Sequence, residues 1–372
     1  MSFEQITPIV MPKWGLSMRE GRITKWHVEP GATITVGAEI LDVETEKLAG
    51  AVEATDPGVF RRKVGECERV YPVKALIGIM APIDVPDSVI DDYVAAYANP
   101  DEGSDDEAVE SKYKVANLEL GPIRYSVSGA GSQDVLLIHG FGGDVENWMF
   151  NIDALSEKYR VFTFDLPGHG ESYKGIDDAS VPGYAKAVLA FMTAVGIQSA
   201  NLVGHSMGGA IALQMLASAP ERVLSLTLIA SAAIGTQINQ SYLEGFARAN
   251  SRKELKPCVE MLFADPALAS RKLLDDLLKA KRMDGAQLAL EKTIASFATD
   301  GAQQLILIHL IEGAARPVLA IHGRRDQIIP VEQSESLRHA KVAILEAPGH
   351  MPHVEAAREV NALILEHLSK VN

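Results

Sequence analysis

Two different hydrophobic rhythms divide the chain. Over residues 1–80, apolar and polar positions alternate in short segments broken by turn residues at roughly eight-to-twelve-residue spacing, which predicts a small all-β unit. This stretch half-repeats itself: Gly21-Arg22-Ile23 with Val28-Glu29-Pro30-Gly31 and Ile40 is echoed by Gly58-Val59-Phe60 with Val64-Gly65-Glu66 and Ile77. The halves join around residues 44–49, and strands predicted at 39–43 and 51–54 place the Lys47 ammonium at a hairpin tip. From Tyr113 onward the rhythm changes. Apolar runs at 135–138, 161–164, 200–203, 224–229, 318–321 and 342–345 alternate with amphipathic helical segments, as in a mainly parallel sheet covered on both faces. An opening strand pair near 115–127 completes that domain, and residues 231–311, helical by periodicity, read as a cap.

The chain is thus multidomain: an all-β unit at 1–80, a linker at 81–112, and an α/β domain at 113–372. A length of 372 residues fits this division, being too great for one ordinary domain. The formal net charge of −14 is unevenly placed. Between Ala81 and Ser111 stand Asp84, Asp87, Asp91, Asp92, Asp101, Glu102, Asp105, Asp106, Glu107 and Glu110, with no Lys or Arg, so the rest of the chain carries only about −4. Residues 99–110 read as an extended tether, because they have little to bury and repel themselves. Just before them Val89, Ile90, Val94 and Tyr97 recur at helical spacing, which predicts a short helix packed on one of the domains.

An acidic chain without a basic stripe is not a reader of phosphate backbones, so nucleic acid is set aside. The amino terminus lacks a basic start before an apolar block, and no run reaches the ~18 apolar residues of a membrane span, so a cytoplasmic protein is expected. Cys67 and Cys258 form no CxxC pair, which leaves neither a disulfide framework nor a Cys-rich metal site.

Chemistry concentrates after the strand at 200–203. Gly204-His205-Ser206-Met207-Gly208-Gly209 is a G-x-S-x-G motif in a strand-turn-helix context, where a sharp elbow exposes a serine hydroxyl at a helix amino terminus. His139-Gly140-Phe141-Gly142-Gly143 follows an earlier strand, and a Gly-rich turn there can aim the Phe141 amide at the point served by the Met207 amide, an oxyanion hole. Asp326 follows the strand at 318–321 and His350 the strand at 342–345. The order Ser206, Asp326, His350 is that of an α/β-hydrolase triad, with nucleophile, base and orienting acid in turn. His139, His169, His205, His322 and His353 are read as structural, and Asp165, the rival acid, follows the wrong strand for that order. The cap's Arg271, Lys272, Lys279, Lys281 and Arg282 are interleaved with Asp275, Asp276 and Asp284, a solvated face rather than a phosphate site. With Asp165-Leu166-Pro167-Gly168-His169-Gly170 also present, residues 114–372 resemble the α/β-hydrolase superfamily throughout.

The first eighty residues resemble a different family. Met11-Pro12-Lys13-Trp14-Gly15-Leu16-Ser17-Met18 with Glu20-Gly21, then Glu44-Thr45-Glu46-Lys47, is similar to the lipoyl domain of 2-oxo acid dehydrogenase complexes, a flattened β-barrel. A biotin carrier shares that fold but usually flanks its lysine with methionines, whereas Lys47 has Glu46 and Leu48. The resemblance implies lipoate in amide linkage to Lys47, a swinging arm that keeps an acyl group at high effective concentration.

Together the halves resemble the dihydrolipoamide acetyltransferase components of acetoin dehydrogenase complexes. That likeness implies a cytoplasmic acyltransferase moving acetyl from Lys47-bound dihydrolipoate through Ser206 to coenzyme A. The implied partners are a thiamin-diphosphate-dependent acetoin dehydrogenase component and dihydrolipoamide dehydrogenase, within a multienzyme complex. The sequence departs from the usual acyltransferase components in lacking a recognisable subunit-binding domain and a His-x-x-x-Asp-Gly motif. The alternative from another class is an esterase or thioesterase whose lipoyl domain serves as carrier or docking module.

Overall fold

Eight strands build the first unit: β1 (Thr7–Val10), β2 (Glu20–Trp26), β3 (Thr33–Ile34), β4 (Glu39–Glu44), β5 (Ala49–Glu53), β6 (Gly58–Lys63), β7 (Val70–Pro72) and β8 (Leu76–Met80). The computed structural model describes residues 5–12, 20–44, 49–54, 56–97, 113–313 and 315–371. The strands form two four-stranded sheets, in the orders β1-β8-β6-β3 and β5-β4-β2-β7. Advancing every strand of one sheet by four places, cyclically, gives the other, so the half-repeat of the sequence is a quasi-two-fold of the fold. Ile23 of β2 and Phe60 of β6 are equivalent and both fully buried. Ile9, Ile34, Ile40, Val43 and Ile77 fill the rest of the core. Trp26 packs at 5.4 Å from the Phe60 ring and donates its Nε1–H to Gly65 O at 3.2 Å, so its polar edge is satisfied where its body is apolar.

The acidic segment divides. The helix Asp87–Ala96 sets Ile90 against Ile6, Leu76, Ile79 and Val85. Arg61 pairs with Asp87 at 2.7 Å and Arg62 with Asp91. Residues 81–97, counted within the linker but expected to hold a short helix packed on one of the domains, form that helix on the β unit, because their apolar stripe is buried and two of their acids are paired with β6. Residues 98–112, which include the whole of the expected tether at 99–110, lie outside the described residues. The chain clusters into two units, Met1–Glu110 and Ser111–Asn372.

The second unit is built on β9 (Lys114–Leu118), β10 (Gly121–Ser128), β11 (Asp134–Ile138), β12 (Arg160–Phe164), β13 (Ala200–His205), β14 (Val223–Ile229), β17 (Val318–Gly323) and β18 (Lys341–Leu345). Their order is β9-β10-β12-β11-β13-β14-β17-β18. The pairings β11–β12, β11–β13, β13–β14, β14–β17 and β17–β18 are parallel, and β10 runs against both its neighbours. Alternate residues serve opposite faces: Leu136 and Ile138 pack with the helices Val181–Ala194 and Met207–Ser218, while Val135 and Leu137 pack with Ile152, Leu155, Val360 and Ile364. Between β14 and β17 the chain leaves the sheet through the helices Gln240–Arg248, Arg252–Glu260, Arg271–Lys281 and Ala286–Phe297, the expected cap. A small hairpin, β15 (Ala298–Thr299) with β16 (Ala302–Gln303), lies inside that excursion. Periodicity missed it because strands of two residues carry no period.

Candidate active site

Four loops converge because each follows the carboxyl end of a parallel strand, where open α/β sheets place their ligands. Ser206 stands between β13 and the helix Met207–Ser218 with φ 54° and ψ −117°, a conformation sparsely populated for any residue bearing a Cβ. The surroundings enforce it. The Ser206 N–H donates to Ile229 O at 2.9 Å, and its carbonyl accepts from Gly209 and Ala232 at 3.0 and 3.1 Å. The two motif glycines admit the close approach: a Cβ on Gly204 would lie 2.4 Å from Gly208 O, and one on Gly208 would lie 2.1 Å from Ile138 O. Backbone atoms cannot swing aside, so Gly208→Ala is expected to destabilise the second unit by about 3 kcal/mol or more. Gly196→Ala, where φ is +78° but no atom lies within 4 Å, is the control, expected to cost about 1 kcal/mol. Urea midpoints of the two variants check the contrast.

The loop after β11 lies against this elbow, a Cβ on Gly140 falling 3.0 Å from Ser206 Cβ. His139 pins the loop with a single tautomer: Nδ1–H donates to Gly140 O at 2.8 Å, and Nε2 accepts the Leu166 amide at 2.9 Å. Asp144 caps the following 3₁₀ turn in a reciprocal box with Asn147. Gly142 has φ +73°, and its missing Cβ leaves room for the Phe246 ring of the cap. The Phe141 ring meets Phe246 and Tyr242 edge-on at 5.7 and 6.5 Å. No backbone bond from the Phe141 or Met207 amide is formed among the described residues, which leaves both free to donate to a developing oxyanion.

Asp326 and His350 meet on the other side. His350 Nδ1 donates to Asp326 Oδ2 at 2.7 Å, both side chains being buried. Asp326 Oδ1 accepts the Ile328 and Ile329 amides at 2.7 and 3.0 Å. Burial alone would raise this carboxyl, but the facing His350 and His322 and their hydrogen bonds outweigh it and hold it well below the usual carboxylate range. Bound so, Asp326 fixes His350 in the tautomer whose Nε2 is a base. His350 is tied to Ser206 through the chain: His205 Nε2–H donates to His350 O at 2.9 Å, and the two rings lie 4.8 Å apart. The described hydrogen bonds do not include one from Ser206 Oγ to His350 Nε2; such contacts in a free enzyme tighten on binding substrate.

The residues read as structural hold the site's frame. Asp165 is buried against Arg124 at 2.9 Å and accepts the Val145 and Glu171 amides, so it braces the loop after β12. Burial pushes its carboxyl upward, and Arg124 draws it back. Burial lowers His169 to about 4 and His353 to about 3, so both are neutral frame members. In the cap, Arg271 and Lys272 pair with Asp275 and Asp276, while Lys281 donates to Phe246 O and Ala247 O at 2.7 and 2.8 Å. That basic cluster is thus surface pairing plus one internal lock. Two contributors escaped the sequence reading. Glu355 accepts the Gly349 and Ala264 amides, both at 2.8 Å, and so joins the His350 turn to the cap. His322, expected to be structural, sits on Asp326 itself. Glu355 acts from an undistinguished helix position onto a loop 91 residues earlier, and His322 is one more apolar-flanked histidine at a strand end, so no motif marks either.

In the first unit, β4 and β5 pair in the register Glu44↔Ala49, closing a hairpin around residues 45–48. Lys47, expected between these two strands, lies outside the described residues. Cys67 is exposed and Cys258 buried, both free thiols.

Comparison with known proteins agrees with both halves. The alpha/beta hydrolase fold family matches residues 135–357, and the biotin-requiring enzyme family, which holds biotin and lipoyl domains, matches residues 7–62. The solved meta-cleavage product hydrolase of Pseudomonas fluorescens IP01 superposes on the second unit with a TM-score of 0.63 at 23% identity, covering 70% of this chain and 98% of that one. Over the whole length, the chain is 46% identical to the dihydrolipoyllysine-residue acetyltransferase component of the acetoin cleaving system of Cupriavidus necator, covering 98% of this chain and 97% of that protein. It is 41% identical to the component of the same description from Pseudomonas putida, over 98% and 99% of the two chains. A lipoyl domain joined to an α/β-hydrolase domain, with likeness of this extent across both, places the chain in the family of dihydrolipoyllysine-residue acetyltransferase components of acetoin cleaving systems, which are transferases.

Proposed function

We propose that the acetyl group is passed from Lys47-bound dihydrolipoate to coenzyme A through an acyl-enzyme on Ser206, in the cytoplasm. The observation that carries the reading is the Asp326–His350 hydrogen bond, with His350 tied through His205 to a strained Ser206. Lipoate in amide linkage to Lys47 supplies, when bound, the thiol that holds the acetyl group as a thioester. Ser206 Oγ attacks the thioester carbonyl while His350 Nε2 takes its proton, and the Phe141 and Met207 amides donate to the oxyanion. As the C–S bond breaks, His350 returns the proton to the departing sulfur. The coenzyme A thiol then gives its proton to His350 and attacks the Ser206 ester; collapse releases acetyl-CoA, and His350 reprotonates Ser206 Oγ. The thiamin-diphosphate-dependent acetoin dehydrogenase component is the acetyl donor, and dihydrolipoamide dehydrogenase reoxidises the dithiol.

Supplying acetyl-dihydrolipoamide to the enzyme with and without coenzyme A tests the acceptor. Acetyl-CoA is expected as the main product, with turnover dependent on coenzyme A. Mostly free acetate at a rate indifferent to coenzyme A would replace transfer by hydrolysis.

A further inference from the structure

Asp326 serves two imidazoles. Oδ2, the atom that accepts from His350 Nδ1 at 2.7 Å, also accepts from His322 Nε2 at 2.8 Å. A carboxylate only accepts, so His322 carries its proton on Nε2, with Ile329 O as a second acceptor at 3.1 Å. Its Nδ1 then accepts from Ser334 Oγ–H at 2.7 Å. His322 and Ser334 are both buried, on β17 and on the short helix Glu332–Glu335. The result is a directed chain from Ser334 through His322 to Asp326, meeting His350 at the same oxygen. With the Ile328 and Ile329 amides on Oδ1, four donors share one negative charge.

We propose that His322 is a positioning residue of the acyl-transfer machinery, dividing the Asp326 charge between two imidazoles so that His350 is held in register but acts as a weaker base. This rests on the reading of Ser206, Asp326 and His350 as the triad and deepens it toward the acceptor. A thiol ionises several units below water. A weaker base therefore suffices to draw the proton from coenzyme A, and it gives less help to water. The other titratable groups around the pair are His205, stacked on His350 at 4.8 Å, His353, which faces His205 at 4.6 Å, and Glu355, which holds the His350 turn. None of these donates to Asp326 among the described hydrogen bonds.

The sign follows from charge. Removing the His322 donor leaves more of the Asp326 charge on His350, which stabilises its imidazolium. The neutral base that catalysis needs is then lost at a higher pH. In the full-length lipoylated protein, kcat/KM for acetyl-dihydrolipoamide at saturating coenzyme A is measured against pH. His322→Leu is expected to move the acid limb up by about one unit, so that activity well below the limb falls about tenfold further than activity on the plateau. His322→Gln, whose amide N–H can replace the Nε2 donor, should restore the limb. Ser334→Ala, a milder change for folding, should shift it in the same direction by less. An acid limb unmoved in both His322→Leu and Ser334→Ala overturns the proposal, whatever happens to the plateau. Ser206→Ala in the same assay separates the two readings: turnover retained there overturns the triad itself, whereas turnover lost there with an unmoved limb overturns only the role of His322.

Discussion

Ser206→Ala is expected to lower acetyl transfer from dihydrolipoamide to coenzyme A by about 10⁴-fold or more while leaving the fold intact. The hydroxyl removed is the atom that the strained elbow presents, and no other side chain follows β13 at the same point. The backbone consequences are small, because the Ser206 contacts that hold the elbow are made by its amide and carbonyl, which alanine keeps. Urea unfolding should therefore stay within about 1 kcal/mol of the parent. The same variant should still accept acetyl on its lipoyl arm from the dehydrogenase, since that reaction belongs to the first unit. Accumulation of acetylated Lys47 arms without acetyl-CoA, read by intact mass, is the expected signature. Transfer persisting at near-parental rate would remove the acyl-enzyme from the mechanism.

Lys47→Arg should separate the two halves in the opposite sense. Arginine keeps the charge at the hairpin tip but offers no amine for amide linkage, so one lipoyl increment should vanish from the intact mass. Overall acetoin cleavage by the assembled complex should fall below about 1% of the parent, because tethering raises the local concentration of the acyl donor by orders of magnitude. Free acetyl-dihydrolipoamide should still be turned over, as the second unit is untouched. An unchanged lipoyl mass in the variant, made in a host that lipoylates the parent, would exclude Lys47 as the attachment point.

The targets of both variants are legible in the sequence, whereas their partners are less so. Lys47 and Ser206 are each announced by a local pattern, a half-repeated β sequence with a lysine at its centre and a glycine-bracketed serine between strand and helix. His350 and Asp326 are set by chain order, a longer-range regularity of the same family. His322 was legible only as a histidine at a strand end, read as structural alongside His353 at the start of a helix. The structure separates them: His322 donates to Asp326, whereas His353 packs between Trp148 and His205 at 4.6 Å from each ring and makes no bond to that carboxylate among the described residues.

Local steric and hydrophobic rules act over a few residues, and the sequence alone therefore determined the elements, the two fold classes, the elbow and the hairpin that bears Lys47. The boundary of the acidic segment was decided by tertiary structure. Net charge marked 81–112 as one stretch and periodicity marked a helix in it packed on one of the domains; burying Ile90 and pairing Asp87 and Asp91 with Arg61 and Arg62 assigns 81–97 to the β unit. Tertiary structure also decided which side chains share the Asp326 carboxylate and which carboxylate ties the His350 turn to the cap. Such partners meet only when β18 pairs with β17 and the cap folds back onto the turn after β18. Hydrogen bonding is specific to a few tenths of an ångström, and sequence spacing does not record which of the groups near a carboxylate come within that distance once the chain has folded.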